Sequence, residues 1–345
     1  MKVSLFDYDL PADRIAQAPR ERGSSRLLLL DRQTGEISHR RFSDLPSLLR
    51  PGDVLVRNDV RVRNARLWGR DTEGRLTEIF LVESISEERL RWQALARPGR
   101  RAKPGRRLDF AEGIIGTIVS VSPDGRREVL FDRPIDDEFL ERAGTVPLPP
   151  YIRRAAGAPD RDEDRAAYQT VFARQPLAVA APTAGLHFTA EVLAEIAARG
   201  VQIADLTLAV GPGTFKPVTA EDTASHVMGA ERVWIPGSTR RAVAAAASSG
   251  RVAAVGTTVA RSLEAAARIE GAPDGDLEFS TDLFITPGFQ FRTVDALLTN
   301  FHLPTSTLLM LVCAFAGREP VLKAYREAVR EEYFFYSFGD AMLIS

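Results

Sequence analysis

The sequence predicts an α/β fold with a mainly parallel sheet, together with a small all-β barrel or sandwich. Three observations lead there. Residues 165–345 alternate apolar strand-like runs with helical patterns, as repeated βα units do. Residues 61–148 instead hold short runs broken at close spacing by Gly, Pro and charge clusters, with no helical period. The stretch "VPLPPYIRR" at 146–154 is rigid and Pro-rich, as a domain boundary tends to be. The composition break bounds the all-β segment at 61–148. A length of 345 residues suits two domains.

Taken in order, "FDYDLPADRIAQAP" predicts a short helix opened by Asp9 or Pro11 and running to Ala18. "SSRLLLLDRQTGEISHRRF" is a strand, a turn at Thr34-Gly35 and a second strand. A short helix, a Pro-Gly turn and a strand at 53–57 follow. Within 61–148 the clearest turn is Asp124-Gly125. "PLAVAAPTAGLHFTAEVLAEIAARG" predicts a strand at 177–181, a loop, and a helix with Thr189 as N-cap and Gly200 as its C′ stop. Val192, Leu193, Ile196 and Ala197 form the apolar face of that helix. "VQIADLTLAVGPGTF" is a strand ending in a Gly-Pro-Gly turn. "GRVAAVGTTVARSLEAAARIEG" is a strand, a Gly-Thr-Thr turn and a helix stopped at Gly271. "TVDALLTNFHLPTSTLLMLVCAFAG" is a strand, a polar loop and a helix stopped at Gly317, and "VLKAYREAVREEY" is a further amphipathic helix.

Composition is that of an ordinary globular protein, 45% hydrophobic and 26% charged, with a formal net charge of −1. Overall charge therefore points to no partner. The single Cys313 excludes an internal disulfide and a cysteine metal cluster, and lies in an apolar run as a core residue. The four His show no metal-ligand spacing, so no metal site is expected. No signal-peptide core is present and no apolar segment reaches about 18 residues. A soluble cytoplasmic protein is the expectation.

Four loops fall where strands end: "APTAGLHFT" (181–189), "GPGTFKP" (211–217), "GTT" (256–258) and "TNFHLPTS" (299–306). In α/β sheets and barrels ligands bind beyond the carboxyl ends of strands. Three of these loops lead into helices, whose first N–H groups attract carboxylates and phosphates. Each loop alone is equally well a turn with an N-cap. His187 and His302 stand in equivalent loops, an arrangement expected to face both toward one crevice as acid or base candidates. There is no Walker-type loop, no Gly-x-Gly-x-x-Gly and no Gly-x-Ser-x-Gly. Residues 61–107 hold 13 Lys/Arg against 6 Asp/Glu, densest in "RNDVRVRNARLWGR" and "RPGRRAKPGRR". Such a stretch is either a solvated face of an Arg-rich chain or a surface for nucleic-acid phosphates.

"AYQTVFA", "AAPTAGLHFT", "TLAVGPGTFKPV", "AVGTT", "DALLTNFHLPTSTLLMLV" and "FYSFGDAMLI" together resemble the S-adenosylmethionine:tRNA ribosyltransferase-isomerases of queuosine biosynthesis. The N-terminal "FDYDLP", "RLLLLDRQTGEISHRRF" and "LRPGDVLVRND" fit as well, so the resemblance spans the chain. It implies a discontinuous α/β domain, 1–60 together with 149–345, with a small antiparallel β-barrel domain inserted at 61–148. It implies transfer of the ribosyl part of S-adenosylmethionine to a 7-aminomethyl-7-deazaguanine wobble base of tRNA, with isomerisation to epoxyqueuosine and loss of adenine and methionine. S-adenosylmethionine is then a co-substrate, with no tightly bound cofactor. In the chemistry usually proposed for such enzymes, a base takes a proton from the carbon beside the sulfonium. Adenine is expelled, the acceptor amine attacks, and methionine leaves as the epoxide closes.

Carried onto this chain, the resemblance implies His187, His302 and Asp340 as catalytic candidates. Thr183, Gly185, Gly211, Gly213, Thr214, Gly256, Thr257, Thr258, Asn300 and Ser306 become candidates for holding S-adenosylmethionine. Asn58, Asp59, Arg61, Arg63 and Arg66 become candidates for tRNA contact. A monomer is expected. Such proteins usually carry His where this chain has Ala209 and Gly229, and Arg where it has Phe334. Two other readings fit the same residues: a divergent paralogue acting on another amine acceptor, and a non-catalytic tRNA-binding protein.

Overall fold

The computed structural model describes residues 1–158, 160–211, 218, 220–272 and 274–345. The chain divides into two compact units. One comprises Met1–Arg61, Gln169–Gln175 and Ala181–Ser345, the other Val62–Tyr168 and Pro176–Ala180.

The first unit is built on a nine-stranded sheet. Its centre is four parallel neighbours: Gln202–Leu208, Val54–Asn58, Val252–Val255 and Ala296–Asn300. Outside them the pairing becomes mixed. Ala341–Ile344 runs antiparallel to Ala296–Asn300 and parallel to Arg26–Leu30, which forms the expected hairpin with Ile37–Arg41. On the other flank Glu231–Ile235 and Leu277–Thr281 are antiparallel. Every residue of Val54–Asn58, Val252–Val255, Ala296–Asn300 and Ala341–Ile344 is buried, because both faces of the sheet are covered. That is why Val252–Val255 and Ala341–Ile344 read as unbroken apolar runs rather than alternations.

Side chains of one face, among them Leu27, Leu55, Val255, Leu298 and Leu343, pack against Phe42, Phe188, Val192 and Ile196. The helix carrying Val192 and Ile196 is Ala190–Ala198. Thr189 caps it by accepting the Val192 N–H at 3.2 Å, and Gly200 ends it at φ 79°. Ala197 is exposed, so the apolar face is narrower than its spacing suggests. Thr257–Ala266 ends well before Gly271, and its start is a glycine, Gly256, at φ 95°. Near the N-terminus the expected helix is only the 3₁₀ turn Ala12–Arg14. A buried carboxylate fixes the approach to the central strand: Glu264 accepts the N–H groups of Arg292, Thr293 and Val294 at 2.9–3.1 Å and pairs with Arg268 at 2.8 Å.

The second unit is a closed six-stranded barrel. Its order is Arg127–Phe131, Arg91–Arg97, Leu76–Ser84, Arg66–Arg70, Arg107–Asp109 and Ile115–Val121, with every neighbour antiparallel. Trp92, Ile79, Leu81, Ile118 and Phe131 fill it. Gly116 is required by close approach, since a Cβ there would lie 2.7 Å from the Phe110 ring. Sequence places the insert at 61–148; the compact unit runs Val62–Tyr168 and takes back Pro176–Ala180.

Candidate active site

Two of the strand-end loops meet at the carboxyl edge of Ala296–Asn300. The 3₁₀ turn Thr183–His187 places His187 against Asn300, whose Nδ2 lies 3.1 Å from His187 Nε2. The same Nδ2 donates to the Tyr336 carbonyl at 2.9 Å. A carbonyl only accepts, so the amide orientation is fixed and Nε2 of His187 is the accepting nitrogen. Its proton therefore sits on Nδ1 and is donated to Ser25 Oγ at 2.8 Å. Phe42 stacks on the ring at 5.2 Å. Burial lowers the His187 pKa to about 4, opposed in part by the nearby Asp340 carboxylate.

The third loop joins this group. A Cβ on Gly256 would lie 3.6 Å from Ala184 Cβ and 3.7 Å from Thr258 Oγ1. The Gly-Thr-Thr turn thus abuts the 183–187 turn, and Thr257 opens a ten-residue helix. Thr257 is buried and Thr258 half-buried. Asn300 holds the most telling atom: its Oδ1 is buried and has no hydrogen-bond partner. An unmet buried acceptor costs roughly 1–3 kcal/mol, a cost that a ligand donor would remove.

His302 does not share this crevice. Its Nε2 bonds Thr299 Oγ1 at 2.7 Å. Successive strand residues point to opposite faces, so Thr299 and Asn300 place the two imidazoles on opposite sides of one strand. The expectation that both histidines look into one crevice gives way on this point. The His302 backbone is held by Tyr325, whose hydroxyl accepts its N–H at 3.1 Å, and by Tyr8, whose hydroxyl donates to its carbonyl at 2.5 Å. Among the described residues nothing bonds His302 Nδ1. Burial lowers its pKa to about 3.

The remaining candidates divide by what their side chains already do. Asp340 is fully buried and fully engaged: it accepts from Arg20 Nη2 at 2.6 Å, Arg26 N at 2.8 Å and Phe334 N at 2.8 Å. Arg20 also lies over the Phe334 ring at 5.1 Å. Ser306 caps Thr307–Ala316, accepting from Leu309 N at 3.2 Å and donating to Leu303 O at 2.8 Å. Gly185 is set by packing, as a Cβ there would meet Phe172 at 2.8 Å and Thr170 at 2.9 Å. Thr183 is half-buried in the same turn. Gly211 donates its N–H to Glu231 at 3.2 Å; Gly213 and Thr214 lie outside the described residues.

Asn58 bridges to the neighbouring strand at both ends of its amide, with Leu208 O at 3.2 Å and Leu208 N at 3.1 Å. Asp59 follows the second parallel strand and accepts from Thr207 Oγ1 at 2.6 Å; burial above all, with the Asp205 charge adding, pushes its carboxyl pKa up. In the barrel unit Arg63 Nη2 donates to Val82 O at 3.2 Å and the guanidinium stacks 5.4 Å from Trp92. Arg66 donates to Leu148 O at 2.7 Å and pairs with Glu78 at 3.3 Å. Arg61 is exposed. Gly229, where the resemblance leads one to expect His, is exposed with open space around it.

Sequence reasoning missed Ser25, Arg20 and Arg26. A serine in a Gly-Ser-Ser turn and arginines in an Arg-rich chain carry no local signal. Only the distant pairing of residues 26–30 with 341–344 brings them to the site. Among the described residues no group of three or more His, Cys, Asp and Glu is arranged to hold a metal ion.

Residues 3–344 match the family described as queuosine biosynthesis protein. An S-adenosylmethionine:tRNA ribosyltransferase-isomerase of Geobacter metallireducens is 49% identical over 351 residues, covering all of both chains. One of Symbiobacterium thermophilum is 49% identical over 349 residues, again covering both in full. Among solved structures, the crystal structure of an S-adenosylmethionine tRNA ribosyltransferase from Thermotoga maritima is similar at 38% identity and a TM-score of 0.57, covering 99% of this chain and 100% of that one.

Proposed function

The chain belongs to the queuosine biosynthesis protein family, and on that premise we infer that it acts as an S-adenosylmethionine:tRNA ribosyltransferase-isomerase. S-adenosylmethionine and tRNA are its substrates. The observation that carries the site assignment is the Asn300–His187 contact, which draws two strand-end loops together and leaves a buried acceptor without a donor.

The chemistry divides among the residues as follows. Asn300 Oδ1 accepts a substrate N–H or O–H, such as the exocyclic amine of adenine or a ribose hydroxyl. His187 is a positioning residue: with Ser25 on one nitrogen and Asn300 on the other, it holds the amide in place. The free N–H groups that open Thr257–Ala266 are suited to the methionine carboxylate. Neither imidazole is a proton donor at neutral pH, because a group with a pKa of about 4 is protonated only about one part in a thousand at pH 7. His302, on the opposite side of the strand, takes no part in the proton transfers of this crevice. Asp59, whose pKa is raised, is the group at this edge best suited to give a proton to departing adenine. The orphan acceptor and the poised carboxyl both favour catalysis over a purely tRNA-binding role.

A monomer working in the cytoplasm, where tRNA is modified, accords with this activity. Among the described residues no helix is long and apolar enough to cross a membrane. The deciding experiment incubates the protein with S-adenosylmethionine and precursor-bearing tRNA, then measures adenine and the mass of the modified nucleoside. Adenine release dependent on that tRNA, with epoxyqueuosine formed, is the expected result. Folded protein that releases no adenine overturns the assignment, and release without tRNA favours a different amine acceptor.

A further inference from the structure

We propose that the arm 97–107 of the barrel unit is an RNA-backbone contact surface, formed by Arg97, Arg100, Lys103, Arg106 and Arg107. The choice of RNA as partner rests on the activity inferred above; the surface itself is argued from charge and exposure. The arm reads "RPGRRAKPGRR", six cations with no acid among them. Arg97, Arg100, Lys103 and Arg107 are exposed and Arg106 is half-buried.

Density singles the arm out: Arg70, Arg133 and Arg161 of the same unit are also exposed and have no carboxylate partner among the described residues, but they stand apart from one another. Arg75, Arg91, Arg126 and Arg142 are partly exposed too, yet each lies within 2.6–3.1 Å of a carboxylate oxygen. Among the described residues no carboxylate pairs with the five arm cations. Glu78, opposite Arg97 across the ladder, is taken by Arg66. The nearest acid in sequence, Asp109, is two residues beyond Arg107.

The arm is also held in place rather than trailing. Ala102 at its middle is fully buried in the barrel core. Arg101 donates to Leu76 O at 2.8 Å, and Arg127 reaches Gly99 O at 3.2 Å and Ala102 O at 3.4 Å. Gly105 N and Arg106 O bond Ile118 at 2.8 and 2.9 Å, and Arg107 pairs with Thr117. Buried anchors thus alternate with outward cations, which presents charge at little further cost in chain ordering. With a net charge of −1 the whole molecule attracts no polyanion, and screening over about 10 Å at 0.1 M salt confines the effect to contact range.

The test uses the full chain and a fluorescently labelled unmodified tRNA, with binding followed by anisotropy from 50 to 300 mM KCl. The variant R100A/K103A/R107A removes three cations, and R75A/R91A/R142A serves as a charge-matched control. Three lost phosphate contacts lower the slope of log affinity against log salt by about 2.7. The arm variant is expected to show that drop and at least tenfold weaker binding at 100 mM, with the control unchanged. S-adenosylmethionine binding by calorimetry and the melting temperature should not move. Equal slopes for the arm variant and native protein overturn the proposal. So does an identical loss on duplex DNA of equal charge, which marks a general polyanion patch. Because adenine release is measured separately, native protein that binds tRNA through the arm but releases no adenine defeats the activity and leaves the surface standing.

Discussion

At the residue scale two buried imidazoles, His187 in the site and His302 on the other side of the strand, are neutral. Their folded pKa values, about 4 for His187 and about 3 for His302, lie below the ordinary histidine value of about 6.5. As pH falls, the unfolded chain takes up protons first. The stability these groups confer is therefore complete above about pH 6.5 and is lost as pH drops toward 4 and then 3. Melting temperature should fall over that window, and a H187Q/H302Q variant should fall less steeply; equal slopes would refute the assignment. A second prediction concerns Asn300. N300D places a carboxylate beside His187, stabilising the imidazolium, so the His187 pKa should rise well above 4 when followed by NMR. An unmoved pKa would mean that the amide does not face the ring. D59N should lower the rate of adenine release and flatten its pH dependence while leaving S-adenosylmethionine binding intact. A normal profile would exclude Asp59 as proton donor.

At the element scale, helix starts and stops explain residues that the resemblance had made ligand candidates. Ser306 is one: its hydroxyl is committed at both ends. S306A should cost about 1 kcal/mol of stability, S306D should restore most of it, and the KM for S-adenosylmethionine should stay constant. A raised KM at unchanged stability would return Ser306 to the ligand. Caps and terminal glycines were legible because their chemistry is local: Thr189, Gly200 and Gly317 stand where the pattern put them. So were the hairpin at 26–41 and the turn at Asp124-Gly125. What local pattern could not reveal is pairing between distant segments. "AMLI" at 341–344 is too short to announce a strand, yet it separates Ala296–Asn300 from Arg26–Leu30. The opposite facing of His187 and His302 followed from strand parity, once Asn300 was seen to end the strand. Loop equivalence had suggested the reverse.

At the scale of the whole molecule, the two units differ in how they are written along the chain. Nearly all of the barrel is one continuous stretch, Val62–Tyr168, whereas the sheet draws on segments from residue 26 to residue 344. Deleting residues 341–344 should leave two strand edges open in the first unit, with loss of its cooperative unfolding transition while the barrel's persists. A single intact transition in calorimetry would contradict this. The same arrangement bears on biosynthesis. The barrel can close once residue 168 has emerged, but the sheet must wait until residue 344 has been made. The intervening 176 residues (344 − 168) take the ribosome roughly 10–35 s at ordinary elongation speeds. Through that interval Arg26–Leu30, with four consecutive leucines, has no partner on one side. The nascent chain is then an apolar edge awaiting its last strand, and slowing translation late in the message should increase its dependence on chaperones.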